Sequence, residues 1–368
     1  MKENQNNFRY LLYPFALLYG LGVWVRNTLF DGDIRSSRQF PVPVICVGNL
    51  EVGGAGKTPM VEYLIRLLKD KYRIAVLSRG YKRKSSGYIL ADRDSTPQLI
   101  GDEPYQIKSR YPDVTVAVDK DRCRGIHNLL NMAEDVRPQV IVLDDAFQHR
   151  SVQPSLSILM TDYNRLYYND ILLPVGRLRE SAGGVRRANI IVVSKCDEAL
   201  KPIDCRIIEN EMRLLAYQML FFSSISYRQP EGVFPDKCPP LSLDEIRKED
   251  EILLLTGIAN PRPLIEKMKK CSDKVTAMSF PDHHDYTKKD VRKICAELSR
   301  MQSDEPLIIC TEKDAVRLRT NPHVPDGWKT RLYSIPIRVE FLLGKGVQLD
   351  EQILHQIHLI EKSGILRR

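Results

Sequence analysis

Short apolar runs rich in β-branched residues alternate with amphipathic stretches through the first two thirds of the chain. Six of these runs predict strands: Val42–Val47, Ile74–Ser78, Val114–Val118, Val140–Asp144, Leu156–Met160 and Ile190–Ser194. Helical patterns between several of them predict an α/β fold, with a mostly parallel sheet and helices on both faces. In such folds ligands bind beyond the carboxyl ends of the strands.

The pattern changes after Tyr227. The segment Arg228–Ser242 contains four prolines and a glycine, which is typical of a domain boundary. Three more strands and a final amphipathic helix are predicted beyond it: Ile252–Thr256, Val275–Phe280, Leu307–Thr311 and Gln348–Lys362. We therefore expect an N-terminal helix within residues 1–35, a core domain at 36–228 and a smaller α/β domain at 229–368.

The N-terminal stretch Leu11–Val25 carries no charge and is flanked by Arg9 and Arg26. A membrane-spanning helix needs about 20 apolar residues, so this stretch is short. No small-residue cleavage site of the kind that ends a signal peptide follows it. Two interpretations remain: a helix packed on the core, or an interfacial helix in one membrane leaflet. Trp24 and the flanking arginines favour the second.

Composition narrows the classes of function. The 368 residues allow two domains, and the apolar content of 43% and charged content of 28% are ordinary for a globular protein. The net charge of +8 favours an anionic partner, but no aromatic-basic signature or Cys/His finger spacing indicates a nucleic acid. The eight cysteines form no C-x-x-C pair, which predicts reduced thiols and no zinc site. No protein partner is evident.

A glycine-rich segment follows the first predicted strand. Its residues Gly53-Gly54-Ala55-Gly56-Lys57-Thr58 lead directly into a helical pattern, which is the context of a phosphate-binding loop. Backbone N–H groups of such a loop contact phosphate oxygens, the lysine reaches the β- and γ-phosphates, and the threonine hydroxyl binds Mg²⁺. The first glycine of the usual pattern is replaced by Glu51.

The fourth predicted strand ends in Asp144-Asp145. An apolar strand that ends in acidic residues is the Walker B arrangement, in which an aspartate holds Mg²⁺ directly or through water. Gln148 and His149 follow at once. They have the chemistry to orient a phosphate or support the carboxylates, although His149 fits a structural loop role equally well.

Two further segments contain candidate acids and bases. Asp102, in the run Gly101–Pro104, is expected near the carboxyl edge of the sheet, either as a helix N-cap or as a general base. Asp282-His283-His284 follows a strand of the second domain. No partner ligands at suitable spacing accompany these residues, so base catalysis by a histidine is favoured over zinc binding.

Basic residues near these motifs have the chemistry to bind anions. Arg179 and Glu180 follow a turn-rich segment, where they suit phosphoryl neutralisation and Mg²⁺ contact or form a plain surface pair. Arg79 and Arg83 lie in a basic loop after the second strand, which either is solvated surface or holds an anionic substrate or lipid headgroup. Ser194–Asp197 and Thr311–Asp314 weakly resemble nucleobase-reading elements.

Together these motifs resemble the tetraacyldisaccharide 4′-kinase (lipid A 4′-kinase) family. The resemblance rests on an ordered set of segments at 47–59, 78–81, 101–104, 143–149, 173–180, 282–283 and 311–315. It implies a P-loop NTPase-like fold whose second, smaller domain closes over the nucleotide cleft. It also implies transfer of the γ-phosphoryl group of ATP, with Mg²⁺, to the 4′-hydroxyl of a tetraacyl disaccharide 1-phosphate, which gives lipid IVA. The expected location is the cytoplasmic face of the inner membrane.

The resemblance also implies residue roles. Asp102, His283 and Asp145 are the expected catalytic residues. Mg²⁺ is expected at Thr58, Asp144 and Glu180. The nucleotide is expected at Gly53, Gly54, Ala55, Gly56, Lys57, Thr58 and Arg179. The remaining expected contacts, to the lipid substrate, are Arg79, Arg83, Arg122 and Gln148.

Two other classes of protein use similar loops. A P-loop GTPase or metallochaperone carries Asn-Lys-x-Asp and D-x-x-G elements, whereas this chain has Ser194-Lys195-Cys196-Asp197 and Asp144–Phe147 at the corresponding places. A soluble small-molecule P-loop kinase would use the N-terminal helix only as a core element. GTP preference would favour the first, and unchanged membrane partitioning on deletion of the helix would favour the second.

Overall fold

The computed structural model describes residues 12–282 and 284–365 and divides into two compact units. The first unit contains the chain up to Asp94, then Ile107–Ile225 and the chain from Val339 onwards. The second contains Ser95–Gln106 and Ser226–Arg338. The catalytic candidate His283 lies outside the described residues.

The first unit is built on a nine-stranded sheet. Its strands are β1 (Val44–Gly48), β2 (Ile74–Ser78), β3 (Ile89–Leu90), β4 (Thr115–Val118), β5 (Val140–Asp144), β6 (Leu156–Asp162), β7 (Ile190–Ser194), β8 (Met219–Tyr227) and β14 (Ile337–Phe341). They lie in the order β14-β8-β7-β6-β1-β5-β2-β4-β3. The pairings from β4 through β8 are parallel, and β3 pairs with β4 in the antiparallel direction.

Five described helices belong to this unit: α1 (Tyr13–Asp31), α2 (Lys57–Leu68), α5 (Arg122–Leu130), α6 (Pro202–Met212) and α10 (Gly346–Ile365). The helix α4 (Asp102–Arg110) begins in the second unit and ends in the first. The helix α2 shows why they form. Met60, Val61, Leu64, Ile65 and Leu68 recur at helical spacing and are all buried, so α2 covers the sheet with a continuous apolar face. The inner strands are buried along their whole length, as expected for parallel strands covered on both faces.

The second unit has its own five-stranded sheet. Its strands are β9 (Glu231–Gly232), β10 (Glu251–Thr256), β11 (Lys274–Ser279), β12 (Leu307–Thr311) and β13 (Leu332–Ile335), in the order β11-β10-β12-β13-β9. All pairs are parallel except β13 with β9. The helices α3 (Pro97–Ile100), α7 (Arg262–Cys271), α8 (Lys288–Leu298) and α9 (Glu312–Arg319) belong to this unit.

The predicted α/β class with a mostly parallel sheet is confirmed, and all nine predicted strands are present with small shifts at their ends. The division into units differs from the predicted boundaries at two segments. Residues 95–106 group with the second unit, and the chain from Val339 groups with the first. In the second case Tyr63 of α2 donates a 2.5 Å hydrogen bond to Asp350 of α10, which ties the last helix to the first unit.

The helix α1 has two different faces. Phe15, Leu17, Leu18, Leu21 and Trp24 are more than half exposed, whereas Ala16 is buried. Gly20 lets α1 pass close to Leu172, since a Cβ at this position would lie 2.8 Å from Leu172 Cδ1 and that side chain would have to shift. One face of α1 therefore packs on the first unit and the other presents apolar side chains outward. Within the part of the chain that the structure describes, no helix is long and apolar enough to cross a membrane.

Candidate active site

The glycine-rich loop connects the end of β1 to the start of α2. Gly53 and Gly56 have φ values of 120° and 79°, a region that residues with a Cβ rarely adopt. Gly56 is also the N-cap of α2, so the helix begins at Lys57 with its N–H groups directed toward the loop. A loop of this shape at a helix N-terminus has the geometry of an anion-binding site.

Two consecutive residues at the end of β7, Ser194 and Lys195, contact the backbone of this loop. The hydroxyl of Ser194 donates a 2.9 Å hydrogen bond to the Ala55 carbonyl. The Lys195 ammonium donates to the Gly54 carbonyl and forms a 2.7 Å ion pair with Asp162. The sequence of this segment weakly resembles a nucleobase-reading element. In the structure, Ser194 and Lys195 instead bind backbone carbonyls of the glycine-rich loop.

Lys57, Asp145 and Arg179 form a charged cluster beside the loop. The Lys57 ammonium lies 3.3 Å from Asp145 Oδ1 and donates a 3.0 Å hydrogen bond to Asn49 Oδ1. Arg179 Nη1 lies 3.1 and 3.2 Å from the two carboxylate oxygens of Asp145. Burial alone raises the pKa of Asp145, but the charges of Lys57 and Arg179 outweigh it and bring the pKa below its usual value. Asp145 is therefore an anion at neutral pH.

Asp145 also has an unusual backbone. Its φ of 46° lies in the left-handed region, which non-glycine residues seldom occupy. Asp145 is the first residue after β5, and Lys195, the first residue after β7, also has a positive φ, of 58°. Residues held in such conformations cluster at active sites, where the surrounding structure fixes them for function.

Asp144, the last residue of β5, is buried next to β1, where its partner in the sheet is Val47. The Ser78 hydroxyl donates to its carboxylate at 3.3 Å, and Arg122 Nη2 donates to its carbonyl at 3.2 Å. Arg122 is completely buried, and its Nε has no hydrogen-bond partner. The Walker B strand is thus bordered by a buried cation.

Gln148 and Glu180 connect this cluster to α1. Gln148 donates to the Asn49 carbonyl at 2.7 Å and to Glu180 at 3.1 Å, and it accepts from Arg179 at 3.3 Å. Glu180 is buried and accepts from Arg187 Nη2 at 2.8 and 2.7 Å. Asn27 of α1 donates to the same carboxylate at 3.3 Å. Glu180 is an anchor of this network, and its expected Mg²⁺ contact stays a prediction.

The oxygen groups at the loop suit a hard cation. Among the described residues, no three His, Cys, Asp or Glu side chains form a preformed metal cage. Mg²⁺ is usually held by one or two carboxylates together with substrate phosphates and waters, so it needs no such cage. The buried Thr58 at the start of α2 and Asp144 at the end of β5 provide a hydroxyl and a carboxylate of this kind. The donor set therefore fits a magnesium ion that binds together with a phosphate ligand.

A basic cavity of about 580 Å³ adjoins Arg122 in the first unit. It is lined by Arg38, Lys120, Asp121, Arg122, Cys123, Arg124, His127, His149 and Ser151. Burial and the charges of Arg122 and Arg79 lower the pKa of His149 to about 4, so this ring is neutral at neutral pH. Sequence reasoning selected Arg122 but not Lys120 or Arg124, although both lie within two residues of it.

The two arginines of the basic loop after β2 differ in their exposure to solvent. Arg79 is exposed. Arg83 is half-buried and donates to the Gly87 carbonyl at 2.7 Å, which closes its own loop. Burial lowers the pKa of the Arg83 guanidinium. The expected substrate contacts of both residues stay predictions.

Asp102 lies in the second unit, at the first position of α4. It forms an ion pair with Arg317 of α9, and the neighbouring Glu103 accepts a 3.2 Å hydrogen bond from Lys313 of the same helix. The other histidine of the predicted pair, His284, bonds Asp290 at 3.0 Å near the start of α8. Sequence reasoning missed Arg317; its spacing of four residues from Lys313 was the available signal.

The loop between β1 and α2, with Lys57 at the helix start and Asp144 at the end of the neighbouring strand, defines a P-loop nucleotide-binding protein of the kinase type. More particularly, the chain belongs to the tetraacyldisaccharide-1-P 4′-kinase family, whose family model matches residues 8–358.

Individual relatives are similar to this chain over nearly its whole length. The tetraacyldisaccharide 4′-kinase of Parabacteroides distasonis is 53% identical over 368 residues, which are 100% of both chains. The protein of the same name from Bacteroides thetaiotaomicron is 47% identical over 350 residues, 93% of this chain and 92% of that one. The crystal structure of the "apo" form of LpxK from Aquifex aeolicus in complex with ATP has a TM-score of 0.72 at 30% identity, covering 95% of this chain and 99% of that one.

Proposed function

We propose that this protein is an ATP-dependent kinase that phosphorylates the 4′-hydroxyl of a tetraacyldisaccharide 1-phosphate, a lipid A precursor, to give lipid IVA. The observation that carries the proposal is the Lys57–Asp145–Arg179 cluster at a phosphate loop, in a chain of this family. The family description supplies the acceptor, and the ATP in the structure of the Aquifex aeolicus relative supplies the donor.

ATP binding would use the loop backbone and the two cations. The loop backbone and the N-terminus of α2 would receive the phosphates, and Lys57 and Arg179 would neutralise their charge. Asp145 holds both cations beside the loop at 3.1–3.3 Å. The two cations outnumber this carboxylate, and phosphate oxygens would replace it as their partners.

Thr58 and Asp144 would hold Mg²⁺, and Glu180 is the third residue that we assign to the metal side. When bound, the ion stabilises the charge that develops on the transferred phosphoryl group. The protein's own contribution is to align the donor. Ser194 and Lys195 fix the loop backbone, and Arg122 fixes the end of β5.

Asp102 is the proposed general base, with His283 as its partner. A base removes the proton of the 4′-hydroxyl as the hydroxyl oxygen attacks the γ-phosphorus. The bond between the γ-phosphorus and the oxygen that bridges it to the β-phosphorus breaks, and ADP leaves with that oxygen. A base contributes roughly 10²- to 10⁴-fold to the rate. Asp102→Ala should therefore reduce turnover strongly and leave ATP binding nearly intact, whereas transfer at the wild-type rate would remove Asp102 from this role.

The acceptor of this family carries a 1-phosphate, and we assign that anion to the basic cavity beside Arg122. The buried guanidinium has an Nε without a hydrogen-bond partner, and Lys120 and Arg124 add charge at the rim. Neutral His149 has a ring N–H to donate to an anion. Arg79, Arg83 and Gln148 are further proposed acceptor contacts.

The acceptor is a lipid, so we propose that the exposed face of α1 seats the protein on the surface of the inner membrane, on its cytoplasmic side where ATP is present. Leu17, Leu18 and Trp24 are 73%, 67% and 62% exposed on this face. A helix with one apolar face and one polar face lies in the interface plane without crossing the bilayer.

The test is an in vitro transfer assay with purified full-length protein. Radiolabelled [γ-³²P]ATP, Mg²⁺ and a tetraacyldisaccharide 1-phosphate in mixed micelles should give a bisphosphorylated lipid, with the new monoester located at the 4′-position by mass spectrometry. The Lys57→Ala variant is the matched negative control. Release of free phosphate without lipid labelling, or preference for GTP, would favour a P-loop GTPase over this proposal.

A further inference from the structure

The first two residues of α4 are both acidic, and both contact the same helix. Lys313 Nζ lies 3.2 Å from Glu103 Oε1, and Arg317 Nη2 forms an ion pair with Asp102 Oδ2. Lys313 and Arg317 are four residues apart on α9, so their side chains lie on one face of that helix. Two consecutive acids are thus matched by two cations one helical turn apart. We call Lys313 and Arg317 the α9 clamp.

The helix that carries the clamp is itself fixed. Asp314, between the two cations, is buried and accepts hydrogen bonds from the Gly257 N–H at 2.8 Å and the Thr311 hydroxyl at 2.6 Å. Tyr286 donates its hydroxyl to the same carboxylate at 3.0 Å. These bonds join the start of α9 to the end of β10 and to the segment before α8. The clamp therefore presents its charges from a rigid support.

The ion pair between Arg317 and Asp102 is shielded from water. The two side chains are only 9% and 14% exposed, whereas Lys313 and Glu103 are 32% and 25% exposed. Ion pairs that water screens weakly interact more strongly than surface pairs. Other charges face this group: Asp285 lies 3.6 Å from Arg317 Nη1, and Asp282 acts on Lys313. The clamp is the cationic part of this cluster.

We propose that the α9 clamp positions Asp102 for catalysis. Arg317 fixes the direction of the Asp102 carboxylate, and Lys313 fixes the first turn of α4 through Glu103. This inference rests on the proposed kinase function and deepens it. Arg317 is a positioning residue, because it acts on the acceptor hydroxyl only through Asp102. A displacement of about 1 Å at a catalytic group can reduce the rate roughly 10²-fold, so a residue that fixes Asp102 has a measurable effect on turnover.

The central test compares Arg317→Gln, Arg317→Lys and Arg319→Gln in the lipid transfer assay. Arg319 lies on the same helix but donates to the Val233 carbonyl, so it controls for loss of an arginine from α9. Arg317→Gln should lower kcat by roughly tenfold to hundredfold with an unchanged KM for ATP. It should also move the acid limb of the pH–rate profile upward by about one unit, because a nearby cation favours the ionised carboxylate. Arg317→Lys should keep the acid limb in place and recover part of kcat.

A charge exchange tests the second half of the clamp without altering Asp102. Glu103→Lys and Lys313→Glu should each reduce kcat, and the Glu103→Lys/Lys313→Glu double variant should recover most of it. A structural role alone predicts equal losses of thermal stability and of activity, with no movement of the acid limb.

Four outcomes overturn the proposal. The first is Arg317→Gln behaving like Arg319→Gln in kcat and in pH profile. The second is an exchange variant no better than the single variants. The third is an Arg317→Lys acid limb displaced as far as that of Arg317→Gln. The fourth is a wild-type protein that does not phosphorylate the lipid, which overturns the proposed function itself and with it the clamp; active wild-type protein with unaffected variants overturns the clamp alone.

Discussion

Lys57 and Asp145 face each other across the phosphate loop, with the ammonium 3.3 Å from the carboxylate. One residue begins α2 and the other follows β5, so the contact joins the two motifs that define the nucleotide site. Arg179, from a third segment, forms a second ion pair with the same carboxylate. The carboxylate of Asp145 binds the same two cations that a phosphate would use, and this competition makes Lys57 and Asp145 respond differently to mutation.

Lys57→Ala should weaken ATP binding by roughly tenfold to hundredfold, because a hydrogen bond to a charged group is worth about 1.5–3 kcal/mol. Isothermal titration calorimetry with a non-hydrolysable ATP analogue measures the change. Lys71→Ala, an exposed lysine elsewhere in the same unit, should bind with wild-type affinity. Equal affinities for wild type and Lys57→Ala would mean that Lys57 does not contact the phosphates.

Asp145→Asn should act in the opposite direction on binding. Removing the negative charge ends the competition for Lys57 and Arg179, so the ATP analogue should bind as tightly as before or more tightly. Turnover should nevertheless fall by roughly 10²-fold, since the carboxylate is part of the proposed catalytic group. Weaker ATP binding in Asp145→Asn would show that the carboxylate supports the nucleotide and does not compete with it.

Glu51 predicts a pH-dependent stability. It is buried at the loop start, accepts a 3.2 Å hydrogen bond from Thr161, and burial raises its pKa from 4.5 to about 7. Because the folded state binds the proton more tightly, the stabilisation is complete below about pH 4.5 and is lost as the pH rises to about 7. Glu51→Gln should remove this dependence and be more stable than wild type at pH 8, by on the order of 2–3 kcal/mol. Urea unfolding of both proteins at pH 5 and pH 8 measures the free energy of unfolding. An equal change in this free energy between the two pH values for wild type and Glu51→Gln would contradict the assignment.

The basic cavity predicts a selective effect on the acceptor. Lys120→Gln should raise KM for the lipid by up to about fivefold, the value of an exposed ion pair, with KM for ATP unchanged. The difference from wild type should shrink at high salt because exposed charges are screened. Lys71→Gln is the matched control. A Lys120→Gln variant that changes only KM for ATP would move the acceptor phosphate elsewhere.

The exposed face of α1 predicts an effect on membrane binding that is separate from chemistry. Leu17→Asp/Leu18→Asp should reduce cosedimentation with phospholipid vesicles, because two apolar side chains no longer enter the interface. Activity on detergent-dispersed acceptor should remain near the wild-type level. Leu359→Asp, which alters an exposed leucine of α10, is the control. Equal sedimentation of all three proteins would restrict α1 to a core-packing role.

The sequence predicted the fold well where periodicity is strong. The inner strands of the first sheet are continuous apolar runs, and Ile74–Ser78, Val140–Asp144 and Ile190–Ser194 have the predicted ends. It did not predict that residues 95–106 group with the second unit, because that depends on long-range pairs such as Lys313 with Glu103, which are 210 residues apart. No local pattern reports such a contact.

The sequence predicted the motifs of the candidate site but did not predict the contacts between them. The loop and the Walker B acids are local motifs, so their residue types and spacing were sufficient. The contact of Lys195 with the loop and the link from Asn27 to Glu180 depend on how the strands are ordered in the sheet. The pairing of Lys57 and Arg179 with one carboxylate depends on the same order.

The two-faced helix α1 has a consequence for how the protein would respond to its surroundings. Tyr19 donates to the Arg179 carbonyl at 2.7 Å, Arg26 to the Gln148 carbonyl at 2.5 Å, and Asn27 to the Glu180 carboxylate at 3.3 Å. The helix α1 exposes leucines and Trp24 on one side. On the other side it forms hydrogen bonds with three residues of the candidate nucleotide site. If α1 docks on a membrane as proposed, any tilt of the helix there would be transmitted to Arg179, Gln148 and Glu180 through these three hydrogen bonds.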